Sequence, residues 1–307
     1  MEGCKMSEWL MLRGEWDKNN KQNLHDDTDF WIQLFAELVG SDSGTVWYLS
    51  KKKETMKYRD NIKILASPEP HKERYTHIFA RGAFKYYLPI LRKNHYVYRI
   101  RYGAGERFVP ELDIKYDLVL VDTEQQKNIV KAMNNGVNVH VWTKPAARQF
   151  VPIECKKEYD VCYIADCHSE YQADFKRVRW VYKTAPAHLK ILHLGKSHWD
   201  KQPDNVTVIK VLRKEMPCWI NKCRVGIVPY KEKDSAPRAM SEMIACGIPV
   251  FQLHSVQIFT DKLKYGKSEI WNEITKFIKD KKTVNYELNS IEFVAKQINH
   301  LIGCTNG

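Results

Sequence analysis

The chain has no pair of cysteines spaced as metal ligands. Its eight, Cys4, Cys155, Cys162, Cys167, Cys218, Cys223, Cys246 and Cys304, are scattered, several within apolar stretches. Reduced core thiols are the economical reading, and no metal site is expected. Long apolar runs are missing too: none approaches the roughly 20 consecutive residues that span a bilayer. The opening MEGCKMSEWL has no signal-peptide hydrophobic region. The expectation is a cytoplasmic protein, with a peripheral seat at a membrane surface, or host cytoplasm for a viral chain, as the other compartments left open. No internal repeat or low-complexity stretch interrupts the sequence, which excludes a solenoid. What is present is enough chain (307 residues, 44% hydrophobic) to bury a core in each of two α/β domains.

The net charge is +12, and it is unevenly placed. Residues 51–107 hold fifteen Lys/Arg against five Asp/Glu, whereas the rest of residues 1–150 holds nine against fourteen. Lys51, Lys52, Lys53, Arg59, Arg81 and Arg101 belong to this basic block, interleaved with Tyr58, Tyr75, Tyr87 and Tyr98. Cations neutralise phosphates and aromatic rings stack on exposed bases, so nucleic acid is one candidate partner. An anionic membrane surface and an ordinary solvated basic face are the others.

Periodicity sketches a first α/β domain. Leu10 to Arg13 predicts a strand and Asp29 to Val39 an amphipathic helix, with a polar loop between them. Further strands are expected at Thr45 to Ser50, His77 to Ala80, Tyr96 to Arg101, Leu118 to Val121 and Val137 to Val141, with helical segments after Gly82 and Asp122. Open parallel sheets bind ligands beyond the carboxyl ends of their strands, making Gly14, Glu15, Trp16 and Asp17 candidates. Asp27-Thr28-Asp29 matches a three-letter DxD motif that can hold a divalent cation, but it precedes a helix and does not end a strand, which argues for capping by Asp29. The second half restarts with strands at Asp160 to Ile164, Leu189 to Leu194 and Val206 to Val211. An amphipathic helix from about Ser290 to Ile302 closes the chain.

The densest signal is RVGIVPYKEKDSAPRAMSEMIACGIPVFQL, Arg224 to Leu253. Val225 to Pro229 and Val250 to Leu253 are short apolar runs flanking a helix expected from about Ala236 to Cys246. Ser235 can cap that helix, Pro237 suits its first turn, Gly247 can close it and Pro249 prevents continuation. Asp234 then stands at the helix entrance, and Glu242 lies about two turns further in. A helix N-terminus suits an anionic phosphate, and a carboxylate suits a vicinal diol such as ribose.

On Asp234, Glu242 and the ending Ala245-Cys246-Gly247-Ile248-Pro249-Val250, the segment resembles the donor-binding motif of retaining GT-B glycosyltransferases of the family 4 type. The resemblance implies a GT-B α/β fold: two Rossmann-like doubly wound domains facing a central cleft. Residues 1–150 would form the acceptor domain, 151–288 the nucleotide-sugar donor domain, and 289–307 a terminal helix packing back on the first. Trp142 to Pro152 is similar to the family's interdomain crossing.

The implied activity is hexosyl or pentosyl transfer from a UDP- or GDP-sugar, with no cofactor or metal required and no obligate protein partner. Asp234 and Glu242 would act in the donor pocket, joined by Ser235, Ala236, Pro237 and Arg238. Retention in this family is thought to need no enzymatic nucleophile, while an inverting enzyme would need a base among Asp17, Asp26, Asp27 and Asp29. The first acidic position is usually Glu, and a glycine-rich turn usually follows it. The family also places an Arg and a Lys after the first strand of the second domain, where this chain reads Asp166-Cys167-His168-Ser169-Glu170-Tyr171. Lys176, Arg177, Lys196 and Arg238 are the candidate replacements for the diphosphate, with Gly14 near the donor. Trp16, Asp17, Arg101 and Tyr102 are candidates on the acceptor side.

A basic first domain implies a polyanionic acceptor: double-stranded phage-type DNA with modified (hydroxymethylated) bases, or an anionic surface glycan or its lipid carrier. The alternative reading is a non-catalytic GT-B-like protein that binds a nucleotide or nucleic acid.

Overall fold

The computed structural model describes residues 8–69, 75–81, 87–92, 98–103, 110–133, 136–167, 169–197, 202–230, 238–253, 263–284, 286 and 288–303. The chain divides into two compact units, Met1–Trp142 with Ser290–Gly307, and Thr143–Asn289.

The first unit is built on β1 (Glu8–Glu15), α1 (Lys18–His25), α2 (Phe30–Val39), β2 (Ser43–Leu49), β3 (Glu54–Arg59), β4 (Ile62–Ser67), β5 (His77–Arg81), α3 (Leu88–Leu91), β6 (Tyr98–Gly103), β7 (Leu118–Val121), α4 (Glu124–Met133) and β8 (Val139–Val141). Its sheet runs β3-β4-β2-β1-β5-β6-β7-β8, parallel except for β3, which pairs antiparallel with β4 at the edge. Leu10 and Leu12 of β1, Trp47 and Ile78 pack on one face of the sheet. On α2, Phe30, Trp31, Leu34, Phe35 and Leu38 are all buried, and each such side chain contributes about 1.5–3 kcal/mol when fully covered.

The apolar stripe of α2 is wide enough for two partners. The last helix of the chain, numbered α10 below, takes the second, with Asn299 Nδ2 donating to the Leu38 carbonyl at 3.1 Å.

The second unit comprises β9 (Tyr159–Ile164), α5 (Glu170–Phe175), α6 (Val178–Thr184), β10 (Ile191–Leu194), β11 (Val206–Ile209), α7 (Met216–Asn221), β12 (Cys223–Val228), α8 (Arg238–Ala245), β13 (Val250–Leu253), β14 (Lys264–Tyr265) and α9 (Ile270–Lys279); α10 (Ile291–Leu301) follows in the first unit. Its sheet is wholly parallel in the order β11-β10-β9-β12-β13-β14. Counting strands within this unit, the order is 3-2-1-4-5-6, the doubly wound arrangement that binds ligands where the winding reverses, here between β9 and β12. β10 and β13 are wholly buried, β12 is buried but for Arg224, and the centre of β9 is buried, as expected of a parallel sheet covered on both faces.

Two regions differ from the sequence expectation. The polar loop after β1 holds α1, an eight-residue helix whose start is capped by Asp17, which accepts from Asn20 N at 2.7 Å. The basic block contains the β3–β4 hairpin. Several of its charges are already paired: Lys57 with Asp60, Arg59 with Glu37, Arg92 with Asp113 and Arg101 with Glu111. Tyr75 and Tyr87 are core residues, and Tyr98 stacks on His77 at 4.9 Å, so these three rings are not a surface stacking platform. Lys51, Lys52 and Lys53 are exposed.

Candidate donor and acceptor sites

In the second unit, the ends of β9 and β10 are fastened together past the sheet. Ala165 N donates to the Leu194 carbonyl at 3.0 Å, Cys167 N to the Lys196 carbonyl at 2.9 Å, and Lys196 N to Asp166 Oδ1 at 3.0 Å. Gly195 makes this closure possible. Its φ is +135°, and a Cβ there would sit 2.4 Å from the Ala165 carbonyl oxygen, closer than any side chain is accommodated.

Beneath the loop, His193 is fully buried with Nε2 2.7 Å from the Ala165 carbonyl and Nδ1 2.6 Å from the Tyr182 hydroxyl. Burial drives its pKa down to about 4, so the ring is neutral. A carbonyl can only accept, which puts the proton on Nε2 and makes Tyr182 the donor to Nδ1. Burial lifts the Tyr182 pKa to about 12, keeping that proton in place.

Cations gather at this edge. Lys176 Nζ donates to the Asp166 carbonyl at 2.8 Å, and Tyr163 OH donates to the Lys176 carbonyl at 2.8 Å. Of the expected diphosphate residues, Lys176 reaches the loop after β9 through its ammonium, and Lys196, in the loop after β10, touches it through its main chain. Arg177 lies one residue on, in a left-handed conformation with φ 57°, at the start of α6. Tyr230, just past β12, donates to the Ile164 carbonyl and ties the other flank of the switch point to β9.

Asp234, Ser235, Ala236 and Pro237 lie outside the described residues, as does His168. Glu242 lies within α8, 3% exposed, and its carboxylate is paired with Arg213, whose guanidinium stands over the Phe150 ring at 5.2 Å. A buried carboxylate needs such a partner. It holds about four acceptor positions, of which Arg213 takes part, leaving capacity for hydroxyl donors. Arg238, at the first position of α8, is exposed and one helical turn before Glu242.

Sequence reasoning missed Arg213, because its link to Glu242 spans 29 residues and follows no local spacing. Nearby, Ser241 Oγ donates to the Lys144 carbonyl at 3.0 Å, fixing the buried side of the helix. Burial pushes the Cys246 thiol up to about 12, an inert core group.

In the first unit, Trp16 packs edge-on against Tyr48 at 4.9 Å, and Gly14 is half-buried at the end of β1. Asp17 is the α1 cap. Arg101 is fully buried, with two N–H groups on Glu111 at 3.1 and 3.2 Å and a third on the Tyr102 carbonyl. That arrangement commits Arg101 to the core. Tyr102 donates to Asp122 at 3.1 Å and contacts Trp31 and Trp142. Asp29 caps α2 through Trp31 N at 2.9 Å and pairs with Arg13 at 2.5 Å. Among the described residues no group of three His, Cys, Asp or Glu side chains is placed to hold a metal ion, and no helix is long and apolar enough to cross a membrane.

Two doubly wound units of this kind define the GT-B glycosyltransferase fold, and solved structures of that class match nearly the whole chain. Trehalose-6-phosphate synthase from Burkholderia multivorans matches at TM-score 0.64 and 7% identity, covering 97% of this chain and 98% of its own. Sucrose-phosphate synthase from Thermosynechococcus elongatus matches at TM-score 0.60 and 10% identity, covering 97% and 94%. Anabaena HepE, solved in complex with UDP and glucose, matches at TM-score 0.59 and 10% identity, covering 97% of each chain. At these identities the likeness establishes the fold. No family model matches the chain, and no curated protein matches it.

Proposed function

We propose that the protein is a glycosyltransferase that moves a sugar from a UDP- or GDP-sugar to an acceptor with retention. The observation that carries this reading is the placement of Glu242. It is a buried carboxylate, held in position by Arg213, in the helix that leaves the carboxyl end of β12, the strand beside the switch point. The ribose hydroxyls would donate to Glu242, with Asp234 toward the sugar. Lys176, against the loop after β9, and Lys196, in the loop after β10, would face the diphosphate in place of the family's Arg and Lys. The UDP and glucose found with HepE support the choice of co-substrate.

In the transfer step an acceptor oxygen bonds to the anomeric carbon as the bond to the diphosphate oxygen breaks. The electron pair leaves with the diphosphate, and the acceptor proton passes to a leaving phosphate oxygen. The cations lower the barrier by countering the charge that builds on that leaving group.

The acceptor is read as polyanionic, because Lys51, Lys52 and Lys53 are exposed in the connection between β2 and β3 while several other charges of the block are paired. Duplex DNA and an anionic glycan are the two candidates. Incubation with UDP- and GDP-sugars should release the nucleotide, faster with the right acceptor present. Nucleotide binding without turnover over a full donor and acceptor panel would instead support a non-catalytic binding protein. DNA affinity that did not fall steeply between low and physiological salt would remove the nucleic-acid acceptor.

A further inference from the structure

His193 lies in β10 directly opposite Tyr163 of β9. In a regular parallel ladder a bonded residue gives its N–H to one carbonyl of the neighbouring strand and accepts, through its own carbonyl, from the N–H two residues further on. Ala165 N donates to the Leu194 carbonyl and Cys167 N to the Lys196 carbonyl, so the bond due between them runs from Lys196 N to the Ala165 carbonyl. Side chains have taken its place. Lys196 N donates to Asp166 Oδ1 at 3.0 Å, and the Ala165 carbonyl accepts from His193 Nε2 at 2.7 Å.

The exchange is supported from both sides. Gly195, with φ +135°, leaves room for the Ala165 carbonyl where any Cβ would sit 2.4 Å from its oxygen. Behind the ring, Tyr182 of α6 donates to Nδ1 at 2.6 Å, and the Ser197 hydroxyl hydrogen-bonds to Tyr182. A neutral imidazole donates from one nitrogen only, so the Tyr182 proton on Nδ1 is what commits Nε2–H to the carbonyl. The apolar residue usual in a buried parallel strand could not make this bond.

We infer that His193 is a positioning residue for the donor site: by holding the Ala165 carbonyl it leaves Lys196 N to the Asp166 side chain, and so fixes both the loop that holds the Lys176 ammonium and the loop that carries Lys196. His193 is fully buried and acts through the Asp166 main chain, whose carbonyl accepts from Lys176 Nζ at 2.8 Å. The link to nucleotide binding rests on the sugar-transfer reading, while the loop geometry stands on the second unit alone.

The test uses the full chain, with His193→Leu to remove the donor, His193→Gln to return an N–H at similar reach, and Tyr182→Phe to free the tautomer. His193→Leu should bind UDP or GDP, whichever the parent binds, about tenfold more weakly, the loss of one charge-assisted contact, with affinity for the matching nucleoside unchanged. His193→Gln should recover most of that loss. In ring-nitrogen NMR spectra at neutral pH the parent His193 should be the Nε2–H form, and Tyr182→Phe should add the Nδ1–H form and weaken the nucleotide severalfold. If His193→Leu does not fold, Tyr182→Phe, which removes a single oxygen, carries the comparison. A folded His193→Leu or Tyr182→Phe that binds the nucleotide as the parent does would overturn the inference. So would equal weakening of nucleotide and nucleoside, a Gln variant no better than Leu, or a parent His193 with its proton on Nδ1. Hydrogen exchange at the Cys167 and Lys196 amides separates this inference from the donor reading. Faster exchange in His193→Leu, with no nucleotide bound even by the parent, sinks the donor reading alone; unchanged exchange with nucleotide binding intact sinks the positioning role alone.

Discussion

Replacing Gly195 by alanine perturbs one backbone contact with calculable consequences. The residue has φ +135°, and the added Cβ would lie 2.4 Å from the Ala165 carbonyl oxygen and 2.8 Å from Asp166 N, both main-chain atoms that cannot rotate away. Holding an L-residue in such a conformation costs about 1–3 kcal/mol. Relief requires the ends of β9 and β10 to part, which strains the bonds from Ala165 N to Leu194 O and from Gly195 N to Ile209 O, each contributing about 1 kcal/mol. The sum, about 3–5 kcal/mol, corresponds to a melting temperature lower by roughly 6–20 °C for a domain of this size. The same shift moves Lys196 and the Asp166 carbonyl that holds Lys176, so UDP affinity should fall as well. Differential scanning calorimetry measures the first effect, hydrogen exchange at Val161–Ile164 and Ile191–Leu194 localises it, and titration with UDP measures the second. A variant that melts within 2 °C of the parent, by the conversion used above, would refute the argument that this glycine shapes the loop.

Three further outcomes follow from the described contacts. Burial depresses the pKa of His193 and of His77 to about 4. The unfolded chain therefore binds protons that the folded one refuses, and stability should fall between pH 6.5 and about 4 by up to about 1.4 kcal/mol per pH unit for each histidine; urea melts across that range would show it. Glu111→Gln leaves Arg101 fully buried without its carboxylate and should cost about 3 kcal/mol in a denaturant melt. Lys176→Gln should weaken UDP binding by about tenfold, from one lost charge-assisted contact, while leaving uridine affinity unchanged; equal effects on both would place Lys176 away from the diphosphate.

The unit from β12 to β13 was the most legible part of the fold, because its punctuation is local. Gly247 closes α8 with φ +78°, Pro249 precedes β13, and both strands are short apolar runs. The α2 helix was legible for the same reason, with Asp29 as its cap. In contrast, α1 has almost no apolar residues and is held by local polar contacts, such as Asn20 Nδ2 to the Glu15 carbonyl at 2.8 Å, so periodicity had nothing to detect. The β3–β4 hairpin was hidden by its charge. An edge strand carrying Lys57 and Arg59 reads as a basic stretch, although such charges are how an exposed edge avoids pairing with other chains.

At the sites, residue types could be read but pairings could not. Glu242 stood out by its spacing from Asp234, whereas Arg213 acquires meaning only through a partner that tertiary folding brings up.

The central claim is that the second unit grips a nucleotide through Glu242. Its most direct test is calorimetric titration of UDP and GDP into the parent protein and into Glu242→Gln, which keeps the side chain's shape and its contact with Arg213 while removing the charge. The account predicts that one nucleotide binds the parent and that the variant, melting as a folded protein, binds it about 10–100-fold more weakly, from one or two charge-assisted hydrogen bonds lost. Equal affinity in the two folded proteins would contradict it.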